Sequence, residues 1–578
     1  MRGLRRRRVP AQGNGAGRRH DLLSRLLAPL VSVAILATLL LLAAAPARVP
    51  ADAGSHTGGS GPAVAVGAGP SAAPGDRAAA IGDRPSTTPF TFTGPVQPNP
   101  AGLGAFYGKR VTWATCADDE RFDCGTVVVP VDYERPRGAR TSVALRRLPA
   151  SGPAHRIGSL LINPGGPGGS GIEFVGEAPD FFGDAVRQRY DIVGFDPRGM
   201  GQSDPVRCLR DSDLDAMYAA DPTPDTPGER AAARKAPAER NRACLTRGGP
   251  LAARMGSEFV ARDLDVLRSA VGDERLNYYG VSYGTMIGAL YAQFFPSRVG
   301  HVVLDSAVLP DAREEATPSQ QDVDASARGW ADEFDDVVDD FATDCGSSVE
   351  CPLGKDRAAV SATLVTFLDR LDRHPLETGY ASLPRLTEGW ATTAIGWGLT
   401  RPETWPDLVD ALDTAVSGDD GSDLAAFAME MVDRNEDGTY AADATERGHL
   451  PVTCADWPPS PWDSAVPSRD VLENHPLWAR VEAPTTAECD GWTGVRRRTL
   501  TVRPDVSTPV LVIGNDDDKT TPIEDTRALA GEISRSRLVT VSADGHGAYG
   551  SDNDCADEVV DDYLARAKAP EDGFHCGA

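Results

Sequence analysis

The sequence predicts an α/β fold, in which a mostly parallel central sheet is flanked by helices and a helical cap is inserted. From about residue 106, short apolar runs typical of buried strands alternate with amphipathic helical segments. Between 311 and 490 the alternation stops, and the chain becomes helical, with several tryptophans and prolines. The predicted domains are therefore 106–310 (first part of the core), 311–490 (cap) and 491–578 (second part of the core).

The first 47 residues predict an export signal. Residues 1–25 are rich in arginine, an apolar run extends from Leu26 to Ala45, and a small-residue cleavage site ends it. We expect a secreted protein, extracellular or associated with the cell wall. Because the apolar run is long enough to span a bilayer, an uncleaved N-terminal anchor with the rest of the chain facing outward is the alternative. Residues 48–105, rich in Ala, Gly, Pro, Ser and Thr, predict a disordered linker.

The charge balance limits the partners. The formal net charge is −26 at pH 7, and the leader holds eight arginines and one aspartate, so the remaining chain is more acidic still. Such acidity argues against nucleic acid or an anionic membrane as a partner. The sequence shows no second apolar run of membrane-spanning length. No stable membrane partner is expected unless the N-terminal segment stays uncleaved.

The ten cysteines form five neighbouring couples along the chain, although sequence alone does not prove connectivity. Disulfides fit the oxidising compartment that the leader predicts. No Cys-x-x-Cys spacing occurs, so no metal site is predicted. The predicted pairs are Cys116–Cys124, Cys208–Cys244, Cys345–Cys351, Cys454–Cys489 and Cys555–Cys576.

A strand-like run at 159–162 enters the loop 163–171, whose sequence is Asn-Pro-Gly-Gly-Pro-Gly-Gly-Ser-Gly. Without side chains in the way, its backbone N–H groups can approach a carbonyl oxygen closely. A phosphate-binding loop would need a lysine, and this loop has none. We therefore predict an oxyanion hole formed by Gly165 and Gly166, together with the N–H of Tyr283.

The pentapeptide 280–284, Gly-Val-Ser-Tyr-Gly, predicts a nucleophile elbow that presents the hydroxyl of Ser282. A strand-like run at 276–279 precedes it, and 285–295 has the apolar spacing of a buried helix. The flanking glycines suit a sharp turn packed against neighbouring backbone. The motif thus lies in the strand–turn–helix context that its chemistry requires.

In the fold that uses this elbow, the acid follows the serine and the histidine comes last. Only His546 and His575 lie beyond residue 500, and His575 abuts the cysteine at 576. His546 follows a strand-like run at 537–541 and is the predicted general base. The acid should follow the apolar run 508–514, where Asp516, Asp517 and Asp518 stand together. Chemistry alone does not separate these three.

With these motifs in place, the chain resembles the secreted tripeptidyl aminopeptidase branch of the α/β-hydrolase serine peptidases, which are related to proline iminopeptidases. The resemblance covers roughly Trp113 to Cys576 and is carried by the segments 129–133, 163–171, 191–199 and 280–285. It implies an α/β-hydrolase fold with an inserted helical cap. It also implies that the C-terminal part is the closing domain of these enzymes.

The resemblance also selects the acid. In that family the acid stands three residues before a Thr-Pro pair, which here is Thr521-Pro522, so the implied acid is Asp518. The family usually has proline directly after the acid, whereas this chain has Lys519. Asp517 therefore remains a second candidate.

These residues predict a serine hydrolase that works through an acyl-enzyme, without metal or organic cofactor. The resemblance implies a secreted exopeptidase that cleaves short peptides, expected to be tripeptides, from free N-termini. Asp456, held beside the predicted disulfide at Cys454, is the candidate ligand for the substrate amine. A carboxylesterase or other acyl hydrolase of the same fold is the alternative. A non-catalytic binding protein is the third hypothesis, which the complete set of catalytic residue types disfavours.

Overall fold

The computed structural model describes residues 87–310, 317–347, 351–441, 446–457, 461–481, 488–498, 501–551 and 553–577. The predicted signal peptide and the first part of the predicted linker, up to residue 86, lie outside the described residues. Within the described ranges, no helix is both long enough and apolar enough to cross a membrane.

The described strands are β1 Thr87–Pro89, β2 Ala114–Thr115, β3 Asp123–Pro130, β4 Arg140–Leu148, β5 Gly158–Asn163, β6 Tyr190–Phe195, β7 Leu276–Val281, β8 Val299–Asp305, β9 Leu376–Glu377, β10 Arg385–Leu386, β11 Val510–Asp517, β12 Ser536–Asp544, β13 Lys568–Pro570 and β14 Phe574–Cys576. Ten of them form one sheet, which is the core of the molecule, in the order β14-β12-β11-β8-β7-β5-β6-β4-β3-β2. The seven strands from β14 to β6 run parallel, and β4, β3 and β2 continue the sheet in antiparallel pairs. The predicted fold class is confirmed.

Helices cover both faces of the sheet. The helices are α1 Gly171–Phe181, α2 Asp184–Arg189, α3 Asp211–Tyr218, α4 Pro227–Ala252, α5 Ser257–Val271, α6 Tyr283–Phe294, α7 Gln320–Cys345, α8 Arg357–Arg373, α9 Glu388–Leu399, α10 Trp405–Gly418, α11 Ser422–Met431, α12 Glu446–Asp456, α13 Arg469–Asn474, α14 Trp478–Val481, α15 Ile523–Glu532 and α16 Asp554–Arg566. Along β5, Leu160 and Ile162 pack in one apolar cluster with α1 and α16, whereas Leu161 packs in the other with α5 and α6. Because successive strand residues point to opposite faces, a strand buried on both sides is apolar throughout.

The cap consists of helices α7 to α14, inserted between β8 and β11, with a small hairpin of β9 and β10. Helices α3 and α4, which the sequence analysis assigned to the core, pack against this cap. Arg434 and Tyr440 lie in the cap, and Asp215 lies in α3. The guanidinium of Arg434 donates to the Asp215 carboxylate at 2.7 Å, and the hydroxyl of Tyr440 donates to the same carboxylate at 2.8 Å. In α4, Asn241 donates to the backbone oxygens of Glu488 and Asp490. The segment between β6 and α5, which contains α3 and α4, is therefore part of the cap.

The structure corrects the predicted linker, whose boundary was placed at residue 105. Strand β1 pairs antiparallel with β13 near the C-terminus, and the N–H of Phe90 donates to the oxygen of Ala567 at 2.9 Å. Further along, Arg298 donates to the backbone oxygen of Gln97 at 3.0 Å. Residues 87–105 are thus part of the folded unit. A three-residue strand has no periodicity that a sequence pattern could reveal.

A buried ion pair fixes the turn after β6. The guanidinium of Arg198 donates to Asp263 in α5 at 2.7 Å, and to the backbone oxygens of Val131 and Pro130 at 2.9 and 3.1 Å. Both side chains are almost completely buried. The charged turn is therefore structural.

All ten cysteines are joined in disulfides, and the pairs are those that the sequence analysis named. The paired cysteines are between 6 and 36 residues apart in sequence. Three bridges lie in the cap region, namely Cys208–Cys244, Cys345–Cys351 and Cys454–Cys489. Cys555–Cys576 fastens the edge strand β14 to α16.

Candidate active site

Ser282 stands on a strained turn between β7 and α6. Its backbone lies at φ 57° and ψ −129°, a conformation that costs a non-glycine residue free energy and that clusters at functional sites. A Cβ at Gly280 would lie 2.7 Å from the oxygen of Gly284, and one at Gly284 would lie 2.8 Å from the oxygen of Asn163. The two glycines are therefore needed for close approach. This geometry is that of a nucleophile elbow.

His546 and Asp518 form a hydrogen-bonded pair. The Nδ1 of His546 lies 2.9 Å from Oδ2 and 3.1 Å from Oδ1 of Asp518. The backbone N–H groups of Thr520 and Thr521 donate to Oδ1 at 2.8 and 2.9 Å, and the Thr521 hydroxyl donates to Oδ2 at 3.0 Å. Burial alone would raise the pKa of Asp518, but the hydrogen bonds from His546 and the Thr521 N–H outweigh it and hold that pKa below its ordinary value.

The structure separates the three adjacent aspartates. Asp518 is buried and contacts His546, whereas Asp517 is half exposed and forms an ion pair with Lys519 at 2.5 Å. Asp516 lies 3.4 Å from the guanidinium of Arg527. Of the three, only Asp518 is in a position to orient the imidazole.

Asp305, at the end of β8, connects the elbow to the histidine loop. Its backbone oxygen accepts from the N–H of Ser282 at 2.9 Å. Its carboxylate accepts from the N–H groups of Ala548 and Tyr549 at 2.8 and 3.0 Å, and burial raises its pKa. Sequence reasoning missed this residue, although an aspartate that ends an apolar strand was a visible signal. One residue, through its backbone oxygen and its carboxylate, thus fixes the segment after His546 relative to the nucleophile.

The other imidazole nitrogen of His546 is available for proton transfer. Its Nε2 is buried and has no hydrogen-bond partner among the residues that the structure describes. A Cβ at Gly547 would lie 3.9 Å from the side chain of Val281, the residue before Ser282, so the loop lies beside the elbow. An imidazole held through Nδ1 by a carboxylate presents Nε2 as the acceptor for a hydroxyl proton.

The structure corrects the predicted role of Gly165 in the oxyanion hole. The N–H of Gly165 donates to Oδ1 of Asn163 at 3.1 Å and is therefore not aimed at a substrate. A Cβ on Gly165 would lie 2.6 Å from the oxygen of Val281 and 2.9 Å from Cβ of Ser282. The role of Gly165 is therefore steric, because only a residue without a Cβ lets the loop pass this close to the elbow.

Two backbone N–H groups near Ser282 remain as candidate donors to an oxyanion. The N–H of Gly166 makes no hydrogen bond to any described residue. Tyr283 is the first residue of α6, where N–H groups have no partner within the helix. Its nitrogen would be 3.1 Å from a Cβ on Gly165, so it lies against the glycine loop. These two N–H groups are the donors that could meet a developing oxyanion.

Asp456 is not placed to bind a substrate amine, which corrects the prediction. It is completely buried, and burial raises its pKa. Its carboxylate accepts from the N–H of Ser257 at 2.9 and 3.0 Å, from the Ser257 hydroxyl at 2.8 Å and from the hydroxyl of Tyr283 at 2.5 Å. The rigidity that the sequence suggested is present, but the carboxylate points into the protein.

Within the described ranges there are two groups of side chains, each of which brings three possible metal-ligating atoms close together. One consists of Cys116, Asp118 and Cys124, whose two cysteines are joined in a disulfide. The other consists of Asp221, Asp372 and Glu388, and burial raises the pKa of Glu388 to about 7. Neither group includes a residue of the elbow, the histidine loop or the acid loop.

The elbow, the histidine–carboxylate pair and the parallel sheet define a serine hydrolase. Residues 158–552 match the α/β-hydrolase fold family, and the chain belongs to that family. The resemblance that the sequence motifs predicted is confirmed by the relatives of the chain. The chain is 30% identical over 491 residues to a tripeptidyl aminopeptidase of Streptomyces lividans, covering 81% of this chain and 86% of the relative.

Two further relatives carry different names. The chain is 33% identical over 498 residues to the serine protease Hip1 of Mycobacterium tuberculosis, covering 81% of this chain and 91% of the relative. It is also 33% identical over 471 residues to carboxylesterase B of the same organism, covering 78% of this chain and 86% of the relative. The relatives therefore include both peptidases and an esterase.

Proposed function

We propose that this protein is a secreted serine exopeptidase that removes short peptides, with tripeptides as the expected product, from substrates with free N-termini. The observation that carries the proposal is the bond between His546 and Asp518 beside the strained elbow of Ser282. The names of two relatives, a tripeptidyl aminopeptidase and a serine protease, support a peptide substrate. No metal or organic cofactor takes part in the proposed reaction.

In the first half of the reaction, Oγ of Ser282 attacks the scissile carbonyl carbon while Nε2 of His546 takes the hydroxyl proton. The carbonyl oxygen becomes an oxyanion, which accepts hydrogen bonds from the N–H groups of Gly166 and Tyr283. Removal of one such donor costs about 3–4 kcal/mol of transition-state stabilisation in a comparable site. Collapse of the intermediate breaks the C–N bond, and the imidazolium gives its proton to the leaving amine.

In the second half, water replaces the released amine. His546 takes a proton from the water, whose oxygen attacks the ester carbonyl of the acyl-enzyme. The C–O bond to Ser282 then breaks, the serine oxygen recovers the proton, and the short peptide leaves with a free carboxylate. Throughout, Asp518 holds the tautomer and stabilises the imidazolium.

The export part of the proposal rests on the five disulfides and the leader-like sequence of residues 1–47. Mass spectrometry of the protein from culture medium measures its N-terminus. A start near residue 48 supports secretion. A full-length protein in the membrane fraction supports the N-terminal anchor instead.

Three substrates compared on one enzyme preparation test the proposed activity. A fluorogenic tripeptide amide with a free N-terminus should be cleaved, whereas its N-acetylated twin should not. Ser282→Ala should lose turnover and keep the melting temperature. Retained turnover in that variant would contradict the assignment of the nucleophile.

The relative named carboxylesterase B favours a second candidate, an esterase with the same triad. A short-chain aryl ester, assayed beside the two peptides, separates the two functions. Cleavage of the ester with both peptides untouched would support the esterase. Cleavage of the free-amine peptide at a higher kcat/KM than the ester supports the aminopeptidase.

A further inference from the structure

A buried hydrogen bond joins the cap to the residue that follows the nucleophile. The phenol of Tyr283 donates to Oδ2 of Asp456 at 2.5 Å, and Tyr283 is only 3% exposed. Asp456 ends the cap helix α12, whereas Tyr283 begins the core helix α6. The ring of Tyr283 also packs against Trp457, with centroids 5.9 Å apart. The polar end of Tyr283 is therefore held by the cap carboxylate of Asp456, with the side chain of Ser257 as a second hydrogen-bond partner.

The same carboxylate is fixed on its other side by the core. Ser257, the first residue of α5, donates its N–H and its hydroxyl to Asp456. A carboxylate at a helix N-terminus is favoured by the helix dipole. Arg497 adds a bond from its Nε to the backbone oxygen of Asp456 at 3.0 Å, and its own N–H donates to the oxygen of Ala455 at 2.6 Å. Asp456 is thus a rigid point of attachment for the phenol.

We propose that Asp456 is a positioning residue for the oxyanion hole, acting through Tyr283. The backbone N–H of Tyr283 is one of the two oxyanion donors of the proposed function, on which this inference rests. Because the phenol and the N–H belong to one residue on a strained turn, a fixed phenol limits how that residue can rotate. The seated cap therefore keeps the donor aimed at the carbonyl oxygen.

The inference predicts an effect on the chemical step and none on substrate binding. Tyr283→Phe removes only the hydroxyl, leaving the ring, the backbone N–H and the bonds from Ser257 in place. We expect kcat to fall about tenfold, while KM stays within about twofold of the wild-type value. This loss of rate is smaller than the roughly hundredfold loss that a 1 Å misplacement of a reacting group can cause. A residue with a merely structural role would lower the melting temperature and leave kcat unchanged.

Asp456→Asn and Asp456→Ala complete the series. The amide can still accept from Ser257 and contact the phenol, so Asp456→Asn should retain most of the wild-type kcat. Asp456→Ala loses the attachment and should show at least the loss of Tyr283→Phe. Tyr291→Phe is the matched control, since Tyr291 lies two turns further along α6 and donates to a different buried carboxylate, Asp265, at 3.1 Å. Its kcat should equal that of the wild type.

The experiment measures, on the full secreted chain, the rate at which a fluorophosphonate labels Ser282, beside kcat and KM. Serine Oγ attacks phosphorus, fluoride leaves, and the phosphoryl oxygen enters the oxyanion hole, so this rate reports the donors without requiring a peptide substrate. We expect labelling of Tyr283→Phe to slow by the same factor as kcat. Equal labelling rates in Tyr283→Phe, Tyr291→Phe and wild type would overturn the inference.

The same readout keeps the two proposals apart. A wild type that is labelled at Ser282 but cleaves no peptide would refute the aminopeptidase and leave the positioning role to be judged from the labelling rates. A wild type that is not labelled at Ser282 would overturn both. A rise in KM at constant kcat in Tyr283→Phe would indicate substrate contact and would also overturn the inference.

Discussion

Asp518→Asn should remove almost all activity, because the contacts of Asp518 dictate how an amide would sit. Oδ1 accepts from the N–H groups of Thr520 and Thr521, so the oxygen of an asparagine would occupy that position. Its NH₂ group would then face Nδ1 of His546 at the place where Oδ2 lies 2.9 Å away. A donor there forces Nδ1 to accept, and the imidazole proton moves to Nε2. That nitrogen can no longer take the proton of Ser282.

The wrong tautomer lowers kcat about 10⁴-fold in a comparable triad. That factor corresponds to about 5.5 kcal/mol of activation free energy. Asp517→Asn is the matched control one residue away. It breaks an exposed ion pair with Lys519, which contributes about 0–1 kcal/mol, so its kcat should stay within about twofold of the wild type.

The assay is steady-state hydrolysis of the free-amine tripeptide amide by both variants, with melting temperatures measured in parallel. Both substitutions are isosteric, so the fold should be retained. A larger loss in Asp517→Asn than in Asp518→Asn would refute the assignment. So would a folded Asp518→Asn that keeps more than about a tenth of wild-type kcat, since the tautomer argument requires a far larger loss.

Three further changes test other parts of the structure. Gly165→Ala should reduce kcat at least about 10²-fold, because its methyl would meet the elbow backbone, whereas Gly176→Ala, with nothing within 4 Å, should be neutral in the same assay. Arg198→Met leaves Asp263 buried without its cationic partner and should cost about 3–5 kcal/mol in urea unfolding; a cost under about 1 kcal/mol would show that the pair is not structural. Burial lowers the pKa of His301 to about 4 from 6.5. As the pH falls, the unfolded chain therefore binds a proton at His301 before the folded chain does. The free energy of unfolding should fall by about 3 kcal/mol as the pH drops from about 6.5 to about 4. His301→Gln should lose that part of the pH dependence, and an unchanged slope would refute it.

Much of the fold could be predicted because it depends on local patterns. The strand before Ser282 and the helix after it follow from apolar spacing, and the turn between them follows from two glycines. The short strand β1 could not be found, since three residues carry no period. The membership of α3 and α4 in the cap depends on contacts such as Arg434 with Asp215, whose partners are 219 residues apart in sequence.

The order of motifs along the chain predicted which residues form the candidate site. The sequence did not predict in which direction their N–H groups and carboxylates point. His546 followed from its place after the strand-like run 537–541, whereas the choice of Asp518 among three neighbours needed a family motif. Whether the N–H of Gly165 turns toward a substrate or toward Asn163 depends on backbone torsions that glycine leaves free. For Asp456, the sequence indicated a rigid position but gave no sign of which way the carboxylate points.

If the chain is exported, as proposed above, the order of the five disulfides bears on how it folds while it emerges N-terminus first from an export channel. Each cysteine pairs with the next one along the chain, so no loop closed by one bridge overlaps another. An oxidant that joins cysteines as they appear would therefore produce the native pairing without reshuffling. The catalytic histidine and the last bridge come near the end of the chain. The site would then be completed only after four of the five bridges had formed.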